Sequence, residues 1–523
     1  MRKNEKRQIL KNVGSSWSAL AINVAVGIFL SPFILHRLGD AAFGVWVVIF
    51  SVTGYYGLFD LGIRSSIIRY VSKHTATGDH EKLTAFVNTA LFSYTSIGVV
   101  SMALTALLSS SVEHLFKIPP EMHSQARLLL LMVGASVSLG FPLGVFGGML
   151  EGLSRFYILN WTSIGATLVR AALIVYFLNR GYGLLTVALI TVALPVLSSI
   201  LRGIIVLRLC PVPLGLRHFD RASFRDMANY GGTTLLVMVA VRLRFRTDAI
   251  VLGTMMSTVA VTYFNIGSRI VDYAQEFVSS MAQVFVPMSS QSEATGNLDR
   301  VRKIYIAGNR ACAFLILPIT AILIILGKHI IRIWVGARYV PHSYPVLVII
   351  IIPYALMLSQ GAGARVLFGL GRHQTLAAII VIEGIANLIL SVALVPPLGI
   401  IGDAMGTAIP LSFTCLWFLP RHLRKQIGVP IGTFLRGAYT LPILLTLPLV
   451  AVLWLANRFF YPRNLVQLTL EILAVCFIYG AGLLWAYRTN RAFHVAEIAG
   501  LPHSLPAEQP PQAVVSVEYQ GEQ

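Results

Sequence analysis

Charge is scarce in this chain. Only 12% of its 523 residues are Asp, Glu, Lys or Arg, against 56% hydrophobic, a balance that excludes a soluble globular domain. Cysteine is rarer still. Cys210, Cys312, Cys415 and Cys476 are scattered without metal-ligand spacing, and they are expected to be buried free thiols. Long connections are missing too: none between apolar runs exceeds about twenty residues, whereas a further domain needs at least ~50. HExxH, GxSxG and the phosphate-cradling GxxxxGK motif are absent, and His36, His114 and His329 fall in loops without ligand-like partners. An intramembrane glycosyltransferase or ligase would carry a large outer loop with catalytic residues, and the outer loops here are short. No enzyme and no cofactor is expected.

Apolar length is what the chain has in abundance. A membrane-crossing helix needs roughly 20 mostly apolar residues. Such stretches recur at 13–35, 43–63, 84–108, 126–148, 157–178, 183–207, 229–252, 260–288, 304–326, 344–367, 376–396, 401–420, 437–456 and 467–487. They are apolar all round, whereas barrel strands alternate polarity over about ten residues. The expected fold is an all-α polytopic membrane protein of about fourteen transmembrane helices. Met1 to Lys11 is basic like the start of a signal peptide, but the run behind it is too long and many more follow. It reads as a retained first helix behind a basic N-terminus, 1–12.

The 41 basic residues outnumber 22 acidic ones, for a net charge of +19. Within the connections, about 24 fall on the side of the N-terminus and about 8 on the other. The positive-inside rule therefore puts both termini in the cytoplasm. The charge is a topology determinant, and no nucleic-acid role is expected.

Two lobes are expected: 13–207 with six spans, and 229–420 with the next six. A cytoplasmic linker, 208–228, sets Leu214, Leu216, Phe219, Phe224 and Met227 among basic residues, as on an interfacial amphipathic helix. Weak symmetry supports the division. Asn12-Val13-Gly14-Ser15-Ser16 and Asn229-Tyr230-Gly231-Gly232-Thr233 each open a span, and about thirty residues later come FGVW at Phe43 and VTYF at Val261. Residues 421–487 add the last two spans, and the proline-rich tail, 488–523, is expected to be disordered. Pro32, Pro142, Pro195, Pro287, Pro318, Pro353 and Pro410 lie in or at the ends of spans, where they can bend helices.

Nine basic residues sit in or at the edges of apolar runs, and Arg242, Arg244 and Arg246 share one of them. A guanidinium in hydrocarbon costs at least ~2.5 kcal/mol, so such residues face water or a partner. On a helix, Arg242 and Arg246 project about 40° apart, while Arg244 and Asp248 form an i, i+4 pair on roughly the opposite face. The pair can neutralise itself, leaving Arg242 and Arg246 for an anion such as phosphate. The alternative is snorkelling to the head-group layer. In the next span Arg269, Asp272, Gln275 and Glu276 form one polar stripe. Its carboxylates, with Asp248 and Glu383, either bind a coupling proton or sodium ion or balance the arginines. Arg170, Arg310 and Arg365, and Glu383 with Asn387, line a cavity or join helices by hydrogen bonds. Arg127 and Arg202 anchor span edges.

Leu38 to Lys73 carries Phe43-Gly44-Val45-Trp46, then Asp60-Leu61-Gly62, then Arg69-Tyr70. The second half agrees in style, with Tyr263 and Arg269 in VTYFNIGSRI, Pro287 and Ser289 in FVPMSSQS, and IRIWVGARYVPHSYPVL after the ninth span. In order and spacing over residues 10–430, this resembles the Wzx-type polysaccharide flippases of the multidrug/oligosaccharidyl-lipid/polysaccharide exporter (MOP) superfamily. The resemblance implies a two-lobed, V-shaped bundle of twelve or fourteen helices in a bacterial inner membrane. It implies alternating-access transfer of undecaprenyl-pyrophosphate-linked oligosaccharide to the periplasmic leaflet, among membrane lipids and beside a polysaccharide polymerase and glycosyltransferases. The intramembrane arginines fit a cationic cavity for such a head group. Lipid II flippases resemble this chain less, because their GxxRD-type motif is broken here into ILHRLGDAAFG, with Arg37 and Asp40 separated. Drug exporters of the superfamily rely on an acidic cavity, and this one reads as basic. Two other classes stay open: an exporter of small organic ions, and a polysaccharide-assembly membrane protein without transport.

Overall fold

The computed structural model describes residues 3–225, 227, 239, 242, 247–372, 374–459 and 462–489, and among them there is no strand. The first half holds α1 (Lys3–Leu38), α2 (Asp40–Gly54), α3 (Ile63–Thr77), α4 (His80–Leu115), α5 (His123–Gly152), α6 (Phe156–Asn179) and α7 (Leu184–Leu209). The second holds α8 (Asp248–Met255), α9 (Thr258–Ala282), α10 (Phe285–Ala294), α11 (Leu298–Trp334), α12 (Val340–Ser359) and α13 (Gly361–Gly369). It continues through α14 (Gln374–Leu398), α15 (Ile400–Phe413), α16 (Leu419–Ile427), α17 (Ile431–Phe459) and α18 (Leu465–Thr489). A π-helical turn, Thr414–Phe418, joins α15 to α16 as one span.

Twelve helical segments among the described residues are long and apolar enough to cross a membrane. The protein is a multi-pass, all-α membrane bundle. Two of the fourteen expected spans are not among the twelve, for different reasons. The span at 229–252 lies largely outside the described residues. The span at 260–288 is represented by α9, whose 25 residues reach about 37 Å, but Arg269, Asp272 and Glu276 make it too polar to register as apolar. Two other helices overrun their apolar runs. α4 has 36 residues and α11 has 37, because Asp79 and Asn297 cap them well upstream, each accepting from the backbone N–H three residues on. Large side chains such as Phe459, Phe477 and Trp485 stand exposed on the outside, as lipid contact requires.

The Asp60-Leu61-Gly62 motif is a break between two helical stretches that run on in the same direction along α4, with Tyr56 beside Thr105 and Asp60 beside Tyr94. After the 3-10 segment Tyr55–Asp60, Leu61 (φ 49°) and Gly62 (φ 74°) are both left-handed, a conformation free for glycine and strained for leucine. Asp60 holds it, accepting from Arg64 N at 3.4 Å and from the Tyr94 hydroxyl.

Within the first half, α4 packs on α5, α5 on α7, and α1 on α6. In the second, α14 packs on α15, α11 on α12 and α17, and α9 on α12. The halves meet where α2 crosses α9 and α8. A Cβ at Gly44 would lie 1.8 Å from the Thr258 carbonyl oxygen, so the crossing brings backbone against backbone and only glycine fits. Of the cysteines, Cys312 and Cys415 are buried as expected, but Cys210 is half-buried and Cys476 exposed. The linker makes a 3-10 turn at Leu216–His218, with Leu214 and Phe224 exposed and Met227 buried.

Candidate functional site

Hydrogen bonds between the halves gather at the Leu38 end of α1, with Asp40 as the hub. Its Oδ1 accepts from Arg338 at 3.0 Å and from the Tyr339 hydroxyl at 2.5 Å, and its carbonyl accepts from Thr262 Oγ1 at 2.7 Å. Beside it, Trp334 Nε1 donates to the Ile28 carbonyl at 2.7 Å, and His36 Nε2 lies 2.9 Å from the Val335 carbonyl. On the other flank, Lys117 donates its backbone N–H to Gly253 O at 2.9 Å and its ammonium to Met255 O at 2.6 Å. This latch is a structural feature that the sequence reading did not assign. Its signal was present in LGDAAFG and in IRIWVGARYV, but the partners stand about 300 residues apart.

Deeper in the interface, Arg242 is half-buried and lies against the end of α2. A Cβ on Gly57 would come within 2.8 Å of its Nη2, and one on Gly54 within 3.9 Å of its Nη1. The Tyr55 hydroxyl is 3.4 Å from the Arg242 carbonyl and 2.8 Å from Thr247 Oγ1. The glycines make room for a cation between the halves. On α9, Arg269 sits 3.8 Å from Asp272 and 4.9 Å over the Tyr273 ring. The Tyr273 hydroxyl faces α1, where a Cβ on Gly27 would come within 2.7 Å of it. Glu276 is exposed on the same stripe.

The structure thus brings Arg242 and Arg269 to the face between the halves. Arg310 donates Nε to Gly437 O at 2.6 Å, a contact of α11 with α17 inside the second half. Arg365 is half-buried on α13, within electrostatic reach of Cys312. Arg170 is half-buried on α6, its Nε without a hydrogen-bond partner among the described residues. Arg244 and Arg246 lie outside the described residues.

Between α2 and the second half lies a small polar pocket of about 60 Å³, lined by Ser51, Asp248, Asn265, Ser268, Asp272 and Thr407 among others. Thr407 Oγ1 lies 3.1 Å from Asp248 Oδ1 and 3.4 Å from Asn387 Oδ1, and Ser391 Oγ is 3.1 Å from Asn387 Oδ1. Asp403 is fully buried, within electrostatic reach of Asp248 and Ser391, and neither of its carboxylate oxygens has a hydrogen-bond partner within normal distance among the described residues. Glu383 is buried one turn before Asn387. Asp403 is the acid that the sequence reading missed. Among the described residues no three His, Cys, Asp or Glu converge as for a metal site. Carboxylate, amide and hydroxyl oxygens suit a proton or a hard cation.

Residues 9–293, more than half of the chain, match the polysaccharide biosynthesis protein family, and the chain belongs to it. Among particular relatives, the membrane protein EpsK of Bacillus subtilis is 20% identical over 434 residues, covering 82% of this chain and 85% of that one. A protein of Shigella flexneri named as a candidate O-antigen transporter is 21% identical over 412 residues, 78% of this chain and 96% of that one. The fold is similar to that of the lipid II flippase MurJ in an inward closed conformation, with a TM-score of 0.72 at 17% identity over 92% of this chain and 99% of that one. It is also similar to an inward-facing multidrug resistance MATE family transporter of the MOP superfamily, at a TM-score of 0.66 and 14% identity over 78% and 94% of the two chains. These findings bear out the Wzx-type, MOP-superfamily resemblance carried by the motifs.

Proposed function

We propose that this protein moves undecaprenyl-pyrophosphate-linked oligosaccharide from the cytoplasmic to the periplasmic leaflet of a bacterial inner membrane, by alternating access between its halves, 13–207 and 229–420. Family membership, the relatives named for O-antigen transport and the flippase-like fold support the reading. The observation that carries it is the setting of Arg242 and Arg269 on the face between the halves. A pyrophosphate loses its hydration on leaving water, and fixed cations must replace it. Arg246, with Arg244, is assigned to the same cationic cavity, and Arg170, Arg310 and Arg365 to its supporting walls. The polyprenyl tail stays in lipid throughout.

With both termini cytoplasmic, the latched Leu38 end faces the periplasm. The structure then corresponds to an outwardly closed state, and release requires Asp40 to let go of Arg338 and Tyr339. Coupling to a proton or sodium gradient is assigned to Asp248, Asp272, Glu276 and Glu383, to which we add Asp403. A polymerase and glycosyltransferases are the expected neighbours in the membrane. The test is complementation of a flippase-deficient strain with Arg242, Arg246, Arg269 and Arg310 changed singly to Ala and to Lys. Arg242→Ala and Arg269→Ala should abolish surface polysaccharide at unchanged expression. Polysaccharide retained by every variant would remove the cavity.

A further inference from the structure

A second basic site lies away from the interface between the halves. The start of α14 and the end of the α15–α16 span enclose an open cleft of about 720 Å³, lined by Thr375, Trp417, Arg421, His422, Arg424 and Lys425 among others. We propose that this cleft binds the phosphate of an anionic lipid head group in the leaflet at the Asn12 end of the bundle.

The cations are arranged for one ligand. Arg421, Arg424 and Lys425 stand at i, i+3 and i+4, which puts all three on one helix face. None of them takes part in an ion pair among the described residues. Arg421 instead lies 3.4 Å over the Trp417 ring and donates to the Trp417 carbonyl at 3.1 Å, which holds its guanidinium at the cleft.

His422 points to a missing partner. It is only 8% exposed, it lines the cleft, and its Nε2 is buried without a hydrogen-bond partner among the described residues. Buried polar atoms of this kind are rare unless something fills the gap, and a phosphate oxygen would. Thr375 stands in the first turn of the 25-residue α14, where backbone N–H groups have no intrahelical acceptor and favour an anion.

The surroundings select a lipid as the source of that phosphate. Arg421 lies 21 residues beyond Ile400, the first residue of its span, so about 32 Å separates it from the far end. That matches the thickness of a hydrocarbon core. On the same span Phe413 and Leu416 are 61% and 62% exposed, an apolar flank for acyl chains directly beside the cations. Trp417 takes the place of an interfacial aromatic anchor. Basic pockets between spans at this depth are where anionic head groups bind. The site is independent of what passes between the halves.

The experiment uses the full chain in phosphatidylcholine nanodiscs containing phosphatidylglycerol, with native mass spectrometry counting the retained anionic lipid. The double substitution R424A/K425A should weaken retention at least about tenfold, since one charge-assisted contact is worth roughly that factor. Thr375→Trp, at an exposed position, should block the cleft without removing charge and give a similar loss. His422→Ala should give a smaller one. Arg463→Ala, an exposed cation at the opposite end, should change nothing. Titration in detergent with dioctanoyl phosphatidylglycerol and with inorganic phosphate separates the sources. Binding of phosphate alone would overturn the lipid assignment, and equal retention by wild type, R424A/K425A and Thr375→Trp would overturn the site.

Discussion

The two halves treat the acids between their helices differently. In the first half the acids near α3 have partners: Glu151 pairs with Arg64 at 2.5 Å, and Asp60 accepts from Tyr94. Nearby, Arg202 Nε reaches Thr162 Oγ1 at 2.8 Å. In the second half Asp248 is met by a threonine hydroxyl, and the Asp403 carboxylate, near Ser391, takes no hydrogen bond among the described residues, although both are set deep in the bundle. A satisfied network joins helices. A buried carboxylate without partners opposes folding and is retained where something else, such as a cation, fills the place. The contrast fits a scaffolding first cluster and the coupling role proposed for the second.

The largest effect expected from breaking this contrast is at Asp403. If a cation completes its site, saturating sodium at about a hundred times its Kd stabilises the wild type by about 2.7 kcal/mol. Asp403→Asn should lose that increment while matching or exceeding the wild type in sodium-free buffer, as read from intrinsic-fluorescence melting in sodium and in potassium. A variant as sodium-responsive as the wild type would end the assignment. Glu151→Gln should do the converse, lowering stability by about 1 kcal/mol in either salt, because the half-exposed Arg64 can turn to water. The latch offers a third, intermediate case. Arg338 is largely exposed and Asp40 is not, so Asp40→Ala should shift stability by about 1 kcal/mol or less. It should nevertheless lengthen the distance between spin labels at Ser110 and Arg463, if Asp40 is what keeps that end shut.

Much of this fold was legible because apolar length is a blunt, physical signal. The first six spans appear where the runs stand. α9 was legible only as a run with a polar stripe, since three charged side chains dilute its apolarity without shortening it. The overruns of α4 and α11 were hidden in capping residues far outside the apolar stretch. FGVW and VTYF, legible as equivalent starts of the second span in each half, lie near the starts of α2 and α9, the helices that cross. For the site, Arg242 and Arg269 were legible because a cation in an apolar run always demands an account. Arg310 illustrates the limit: its acceptor is a backbone carbonyl on α17, which any residue could supply, so no sequence pattern announces it. Asp403 sits four residues after Gly399, where the chain turns between spans, and an acid in the first turn of the run 401–420 reads as a residue at the head-group layer. The packing of α14 and α12 on α15 buries it.

The smallest effect belongs to an acid that is both paired and outside the membrane. Asp79 caps α4, its Oδ1 accepting from Lys82 N at 3.0 Å and its Oδ2 meeting the Lys82 ammonium at 2.9 Å. The side-chain and then the backbone bond from Lys82 hold the Asp79 carboxyl below its ordinary value. A pKa depressed in the folded state means a stabilising contribution fully present above the unfolded value of about 3.9, and lost as pH falls through the folded one. Amide exchange over residues 80–84 should therefore show no loss of protection attributable to Asp79 between neutral pH and about pH 5, and a loss that sets in only below about 4. Asp79→Asn keeps a capping oxygen and removes the titration, so its protection, corrected for intrinsic exchange, should lack that acid-side step. Because the Asp79 side chain bonds to Lys82 of its own helix, far from the acids of the second half, the variant should leave any sodium response intact. A sodium response altered at Asp79 but unaltered at Asp403 would reverse the division of labour between paired and unpaired acids.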